Sequence, residues 1–290
     1  MPSRFPWERQ YLAAGGNPRA LLNTSCCQRA PTLYNRMFDA FQRRCILRLL
    51  EQTGPLTHKR VLDLGCGWGR WNDALRERGA LVLGGDLSHA ALKNAREHSG
   101  LGSAVQMSAA RLALRGRCLD GIISVTVLQH LSREDQAAAI LEVGRCVKPG
   151  GFALVLEHTH PGKRKDQEEQ GATFANSPAE WVERFRRGDF QLVRMEPCLF
   201  LPIFQIYWKL KGILRTTLGP RTEPHRNRGS QAAGSLSKIH FFSYLLLTPP
   251  SYLLESLLDG LPALRSWASK RLPAAHHIFL FRKEGLDPCI

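Results

Sequence analysis

No C-x-x-C pair, no histidine at zinc spacing from a cysteine, no apolar signal core and no unbroken apolar run of membrane-spanning length occur in this 290-residue sequence. Each absence removes a class. The eight cysteines (26, 27, 45, 66, 118, 146, 198 and 289) do not form a zinc framework, and several fall in predicted core segments. That pattern predicts free thiols in a reducing compartment. The opening residues MPSRFPWERQYLAAGG lack the apolar core of a secretory leader, so a cytoplasmic chain is expected. A spanning helix needs ~20 apolar residues. Lys209 and Lys211 break one candidate run, and Pro249-Pro250 are expected to break the other.

Acidic charge is scarce as well, 25 Asp+Glu against 40 Lys+Arg, for a net charge of +15. The imbalance gathers in 205–275. There Lys209, Lys211, Arg215, Arg221, Arg226, Arg228, Lys238, Arg265, Lys270 and Arg271 face only Glu223, Glu255 and Asp259. The apolar stretches Cys198 to Trp208 and Phe241 to Leu247 overlap the same region. Basic and apolar character together predict an anionic partner: a membrane surface met peripherally, a phosphorylated substrate or, less favoured, nucleic acid. The plainer alternative is a solvated basic face over an ordinary helical core. Apolar content of 43% is enough for a packed interior.

What is present is a backbone prescription. In Val61-Leu62-Asp63-Leu64-Gly65-Cys66-Gly67-Trp68-Gly69-Arg70, an apolar strand runs into three alternate glycines. Without a Cβ, such a chain turns sharply and lets a ligand lie on bare backbone. A helix is predicted from Trp71 to Arg78, with its first amides toward that ligand. A second apolar strand, Leu81 to Gly85, ends in Asp86, 21 residues after Gly65. A carboxylate at that point suits the two hydroxyls of a ribose. The dinucleotide pattern G-x-G-x-x-G does not fit, because its third glycine would fall on Arg70.

Further elements follow in alternation. Helices are predicted from Leu33 to Gln52, from Ser88 to His98, from Ser132 (with Asp135) to Cys146, and from Ser177 to Arg187. Strands are predicted at Ala104–Met107, Leu119–Val125 with Asp120 at its mouth, Phe152–Leu156 after the turn Lys148 to Gly151, Phe190–Met195 and His277–Arg282. Strands alternating with helices imply right-handed crossovers and a largely parallel sheet. The roughly 80 residues before the last strand are too many for an ordinary connection and predict a helical cap. Its buried face is expected from Tyr244 to Leu246, Tyr252 to Leu254 and Leu257-Leu258, with a mobile polar loop over His225 to Ser235.

The D-x-G-x-G-x-G stretch resembles motif I of the class I S-adenosylmethionine-dependent methyltransferases. The small-molecule branch typified by ubiquinone and menaquinone biosynthesis enzymes is most similar, through Val127-Leu128-Gln129-His130-Leu131 and Lys148-Pro149-Gly150-Gly151. The likeness covers about residues 60–158, and strand order extends it to 196 and 275–283. It implies a Rossmann-like α/β fold: a seven-stranded, mostly parallel sheet with helices on both faces and a helical insertion between the last two strands. The implied organisation is an N-terminal helical segment (1–55), an α/β domain (56–202 with 273–290) and an insertion (203–272) over the acceptor. The implied cofactor is S-adenosyl-L-methionine, held by Asp63, Gly65, Cys66, Gly67, Gly69, Asp86, Leu87, Ser108, Ala109 and Val125, with Tyr34-Asn35 in the place of a Tyr-Asp pair. Many relatives carry an aspartate after the third strand. Here Ser108 stands there, a neutral hydroxyl with a weaker hold on adenine.

Open α/β sheets bind ligands at the carboxyl ends of their strands. Candidate bases are therefore His130 after the fourth strand and Glu157, His158 and His160 after the fifth. A metal reading of His158 and His160 lacks a third ligand. An Asn/Asp-Pro-Pro-aromatic motif is absent after the fourth strand, where Ser124-Val125-Thr126-Val127 stands, and no Pro-Cys ends that strand. The resulting expectation is O- or C-methylation of a small, apolar or aromatic acceptor. The alternatives are an RNA methyltransferase that uses the basic cap on phosphates, and a binding protein without turnover.

Overall fold

The computed structural model describes residues 6–27, 30–159, 174–217 and 230–285; side chains at 6, 208, 211–217 and 230–240 are left aside. One sheet has the order β3-β2-β1-β4-β5-β7-β6. Its strands are β1 (Arg60–Leu64), β2 (Leu81–Asp86), β3 (Ser103–Gln106), β4 (Leu119–Val125), β5 (Val147–His158), β6 (Phe190–Cys198) and β7 (His276–Lys283). The first five run parallel, and β7 is antiparallel to both β5 and β6. Strand order reverses beside β1, so the crevice past the carboxyl ends of β1 and β4 is the natural ligand position.

The helices are α1 (Pro6–Ala14), α2 (Pro18–Ser25), α3 (Thr32–Leu50), α4 (Asn72–Arg76), α5 (His89–His98), α6 (Arg133–Cys146), α7 (Pro178–Arg186), α8 (Pro202–Thr217), α9 (Ser230–Gly260) and α10 (Pro262–Arg271). Alternation along β7 divides the core. Ile278 and Leu280 join Ile46, Leu49 and Leu50 of α3 on one face. Phe279 and Phe281 join Ile140 and Val143 of α6 and Trp181 and Phe185 of α7 on the other. Phe185 stacks on Phe281 at 4.3 Å between centroids. Each such side chain contributes about 1.5–3 kcal/mol by leaving water. Hydroxyl caps start three helices: Ser88 accepts from the Ala91 amide, Ser132 from Asp135, and Ser177 forms a reciprocal box with Glu180.

Several sequence expectations need correction. The helix predicted for Trp71 to Arg78 is only five residues long. The predicted Lys148–Gly151 turn lies within β5, where Gly150 takes φ 74°. Asp120 sits at the amino end of β4, away from the glycine loop, where it accepts from the Arg60 amide (2.8 Å) and pairs with Lys148 (2.7 Å). Pro249-Pro250 do not break α9, which runs 31 residues through them. The helix tolerates the two missing amides because both prolines are exposed. Ser230 to Ser235 are helical rather than a loop, while residues 225–229 lie outside the described residues. The basic side chains at 211, 215, 221, 226, 228 and 238 also lie outside them.

The three helices between β6 and β7 are tied down by buried polar contacts. Glu255 of α9 accepts from the amides of Phe200 (2.7 Å) and Leu201 (2.9 Å). Arg48 of α3 pairs with Glu196 of β6 (3.0 Å) and Asp259 of α9 (3.1 Å), and Arg265 of α10 contacts the same two carboxylates. The described cysteines are free thiols, and no described helix is long and apolar enough to cross a membrane.

Candidate cofactor and acceptor site

The loop after β1 is built on left-handed backbone: Gly65, Gly67 and Gly69 have φ of 69°, 56° and 81°. A Cβ on Gly67 would lie 2.5 Å from the Tyr11 hydroxyl, and one on Gly65 would enter the Val127 side chain. The amides of Gly65 and Cys66 donate to the Gly85 carbonyl at 2.7 and 3.1 Å. Gly67 donates to Asp86 Oδ2 at 2.9 Å, and Ser88 donates to Asp86 Oδ1 at 2.8 Å. Loop and carboxylate thus hold each other in register. Burial raises the Asp86 pKa, and the Ser88 and Gly67 amides pull it back. The Leu87 amide pulls in the same direction, and three amides leave the carboxylate room for a further donor.

Asp63 lies beneath the loop, buried, with its pKa raised to about 7 by burial; Arg70 works in the opposite direction. Its Oδ2 has no hydrogen-bond partner among the described residues. Cys66 turns its thiol away, into a core with Leu92, Ala95 and Leu101. Any contact of Cys66 with a ligand in the crevice would therefore come from its backbone. Nor are all the loop amides free: Gly69 donates to Cys66, and Asn72 to Gly69. Leu87 is exposed beside Asp86. After β3, Ser108 accepts from the Ala110 amide at 3.2 Å, which leaves its hydroxyl proton and one lone pair.

Helix α1 lies across this loop. Glu8 accepts from the Ser88 hydroxyl (2.6 Å) and the Ala90 amide (3.2 Å) at the start of α5. Tyr11 meets Gly67, and Trp7 packs edge-on against His130 at 4.9 Å. Sequence reasoning missed these three residues. Their separation from the motif by more than 50 positions leaves no local pattern to find them by.

Past β4, Thr126 takes φ 56°, a strained backbone for a β-branched residue. The turn is held from β5: Glu157 accepts from the amides of Val127 (3.2 Å), Leu128 (3.0 Å) and Gln129 (3.1 Å). Burial raises the Glu157 pKa to about 8, against the pull of those three amides. Both of its oxygens are occupied, so Glu157 shapes the turn that carries His130 instead of standing free as a base. Gln129 Oε1 in turn accepts from the His158 amide at 2.6 Å. Burial first, then His158, lowers the His130 pKa to about 4, so His130 is neutral at pH 7 although part of the residue is exposed.

Register pairs His158 with His276 across β5 and β7, and their rings meet at 5.3 Å. His276, absent from the sequence expectations, is buried, and its Nδ1 has no hydrogen-bond partner among the described residues. From it an aromatic chain continues through Phe38 (5.2 Å) to Tyr34, which packs on Phe204 (5.0 Å) and Tyr244 (4.8 Å). Tyr34 is thus packed in the core between α3, α8 and α9, where Phe204 and Tyr244 are buried with it. Asn35 clamps the chain before α3 through Asn23, Cys27 and Ala30. His160 lies outside the described residues, and no cluster of three metal-ligating side chains occurs among them.

Loop, acidic strand end and strand order are those of a class I S-adenosylmethionine-dependent methyltransferase domain, and residues 62–155 match the methyltransferase-domain family model. The ubiquinone biosynthesis O-methyltransferase of Thiobacillus denitrificans is 37% identical over 113 residues, 37% of this chain and 48% of that protein. Its counterpart in Nitrosomonas europaea is 36% identical over 110 residues, 36% of this chain and 46% of that one. The chain thus spans about half the length of these relatives. Among solved structures, phosphoethanolamine N-methyltransferase 2 of Haemonchus contortus, in complex with S-adenosyl-L-methionine, matches with TM-score 0.51. It is 20% identical, over 82% of this chain and 52% of that one. A Galdieria sulphuraria protein provisionally named a sarcosine dimethylglycine methyltransferase has TM-score 0.55 and 16% identity, over 82% and 84% of the two chains. These structural likenesses concern the fold.

Proposed function

We propose that the chain transfers a methyl group from S-adenosylmethionine to an oxygen or carbon atom of a small aromatic or apolar acceptor. One observation carries this reading: the bare backbone of Gly65 to Gly67 lies against a half-buried carboxylate, Asp86, with hydrogen-bonding capacity left over. The residues fit the cofactor. Asp86 would take the ribose hydroxyls, Asp63 Oδ2 the ammonium group, and Leu87, Ser108 and Ala109 the adenine, with Val125 and the loop glycines along its length. When bound, the cofactor supplies a methyl group on a sulfonium, a good leaving group.

The chain's own part is then alignment, exclusion of water and, for an oxygen acceptor, removal of a proton. His158 and His130 are the proposed bases, and Glu157 positions the turn between them. The Nδ1 of buried His276, without a partner among the described residues, and the half-buried Phe38 ring beside it support an aromatic acceptor that bears a hydroxyl. The named activity of the ubiquinone biosynthesis relatives agrees with an oxygen acceptor of that kind.

Calorimetric titration with S-adenosylmethionine and S-adenosylhomocysteine tests the cofactor. Micromolar binding that Asp86→Ala weakens about tenfold or more, ~1.4 kcal/mol, is expected. Absence of binding to the wild type would sink the assignment. Transfer to catechol-like acceptors then tests the chemistry. His158→Ala should lower kcat by about a hundredfold with cofactor affinity unchanged; equal loss of both would make His158 structural.

A further inference from the structure

The outer face of α9 is a different matter from the crevice. Beside Tyr244 and Leu258, its inner face buries three polar side chains, Thr248 at 1%, Ser251 at 0% and Glu255 at 3% exposure. Its outer face carries Leu246 at 74%, Leu253 at 66%, Phe242 at 59% and Leu257 at 54%. Residues 242, 246, 253 and 257 recur at helical spacing and form one apolar stripe. The neighbouring α10, joined to α9 through Leu258 and Ala268, presents Leu264, Trp267 and Arg271 on one exposed face. Arg271 lies over the Trp267 ring at 5.6 Å. A surface so apolar asks for a covering.

Charge chooses the covering. Between Leu201 and Ala275 the only described carboxylates are Glu255 and Asp259, and both are drawn inward onto amides and arginines. The exposed charges among the described side chains there are Lys209 of α8 and Lys270 and Arg271 of α10, all cationic. A second copy of the chain would bring like charge to like charge, whereas an anionic lipid surface complements it. Pro249 and Pro250 set the depth, because the Leu245 and Leu246 carbonyls they leave without amides need a hydrated headgroup layer.

We propose that the outer face of α9, with the exposed face of α10, docks the chain onto an anionic membrane surface, lying in the interface without crossing it. The proposal does not depend on methyl transfer. Its test is co-sedimentation of the full chain, without cofactor, with vesicles of phosphatidylcholine alone or with added phosphatidylglycerol. The wild type should partition onto the anionic vesicles at least tenfold better, and salt should reduce the difference. Leu246→Glu/Leu253→Glu should lose that binding tenfold or more while its Tm and S-adenosylhomocysteine affinity stay unchanged, since both side chains are exposed. Failure of the wild type to bind, equal binding to both vesicles, or unchanged binding by the variant would overturn the proposal. So would a dimer in sedimentation equilibrium that the same variant dissociates, which would make the face a contact between copies.

Discussion

At the scale of the residue, Gly67 is the most demanding position in the loop. A side chain there must accept φ 56° and also push against the Tyr11 hydroxyl. The left-handed backbone alone costs about 1–2 kcal/mol for a residue with a Cβ. Gly67→Ala should therefore lower stability by at least that much and abolish S-adenosylhomocysteine binding, because it displaces the Tyr11 contact and the amide that orients Asp86. Gly54→Ala is the control. At φ 82° and ψ −176°, a region essentially confined to glycine, and with open space around it, it should carry a backbone cost of its own and leave binding intact. Equal binding loss in both variants would mean that global destabilisation, not the loop, is being read. Glycines and Asp86 were legible in the sequence because they answer to local backbone geometry. His276 was not: it is an ordinary residue in an apolar strand until strand register sets it opposite His158.

At the scale of the element, strands and capped helices were legible where a local cause determines them. Apolar runs mark the inner strands, and Ser88, Ser132 and Ser177 mark the helix starts. What escaped depends on partners distant in sequence. The outer leucines of α9 look like core by composition, yet among its described side chains Tyr244, Thr248, Ser251, Glu255 and Leu258 are the buried ones, with Leu247 and Leu254 half-buried against the core. Glu255 shows why: the segment it holds, Leu199 to Leu201, has left-handed backbone at both ends, φ 60° and 48°. Its carboxylate satisfies two buried amides that bear that strain. Glu255→Ala should cost about 2–4 kcal/mol, since each orphaned amide costs roughly 1–3. Urea unfolding would measure it. A cost under half a kcal/mol would show that the helices between β6 and β7 are not anchored through this residue.

For the whole molecule, buried titratable groups of opposite type make stability respond to pH in two regimes. Glu157 and Asp63 have folded pKa values raised to about 8 and about 7, so the folded chain holds protons that the unfolded chain has released. Stability should therefore fall as pH rises through 7 to 8, by up to about 1.4 kcal/mol per pH unit per proton. His277 works the other way. Burial lowers its pKa to about 4, and His276 is held well below the ordinary value by burial, His158 and His277. Below about pH 6.5 the unfolded chain gains those protons and the folded chain does not, which removes stability. From there down to about pH 4.5 Glu157 and Asp63 still favour folding as pH falls, with Asp86 and Glu255, also raised by burial, on their side. His130, lowered to about 4, is on that of His276 and His277, so the two groups oppose each other and a shallow acid side is expected. Two substitutions separate the contributions. Glu157→Gln should start less stable, with a shallower loss between pH 7 and 8. His277→Gln should make the acid side tilt, stability rising as pH falls from 6.5 to 5. Urea midpoints across this range decide it, and a wild-type profile that is flat from pH 6.5 to 8 would mean that Glu157 is a carboxylate held by its three amides.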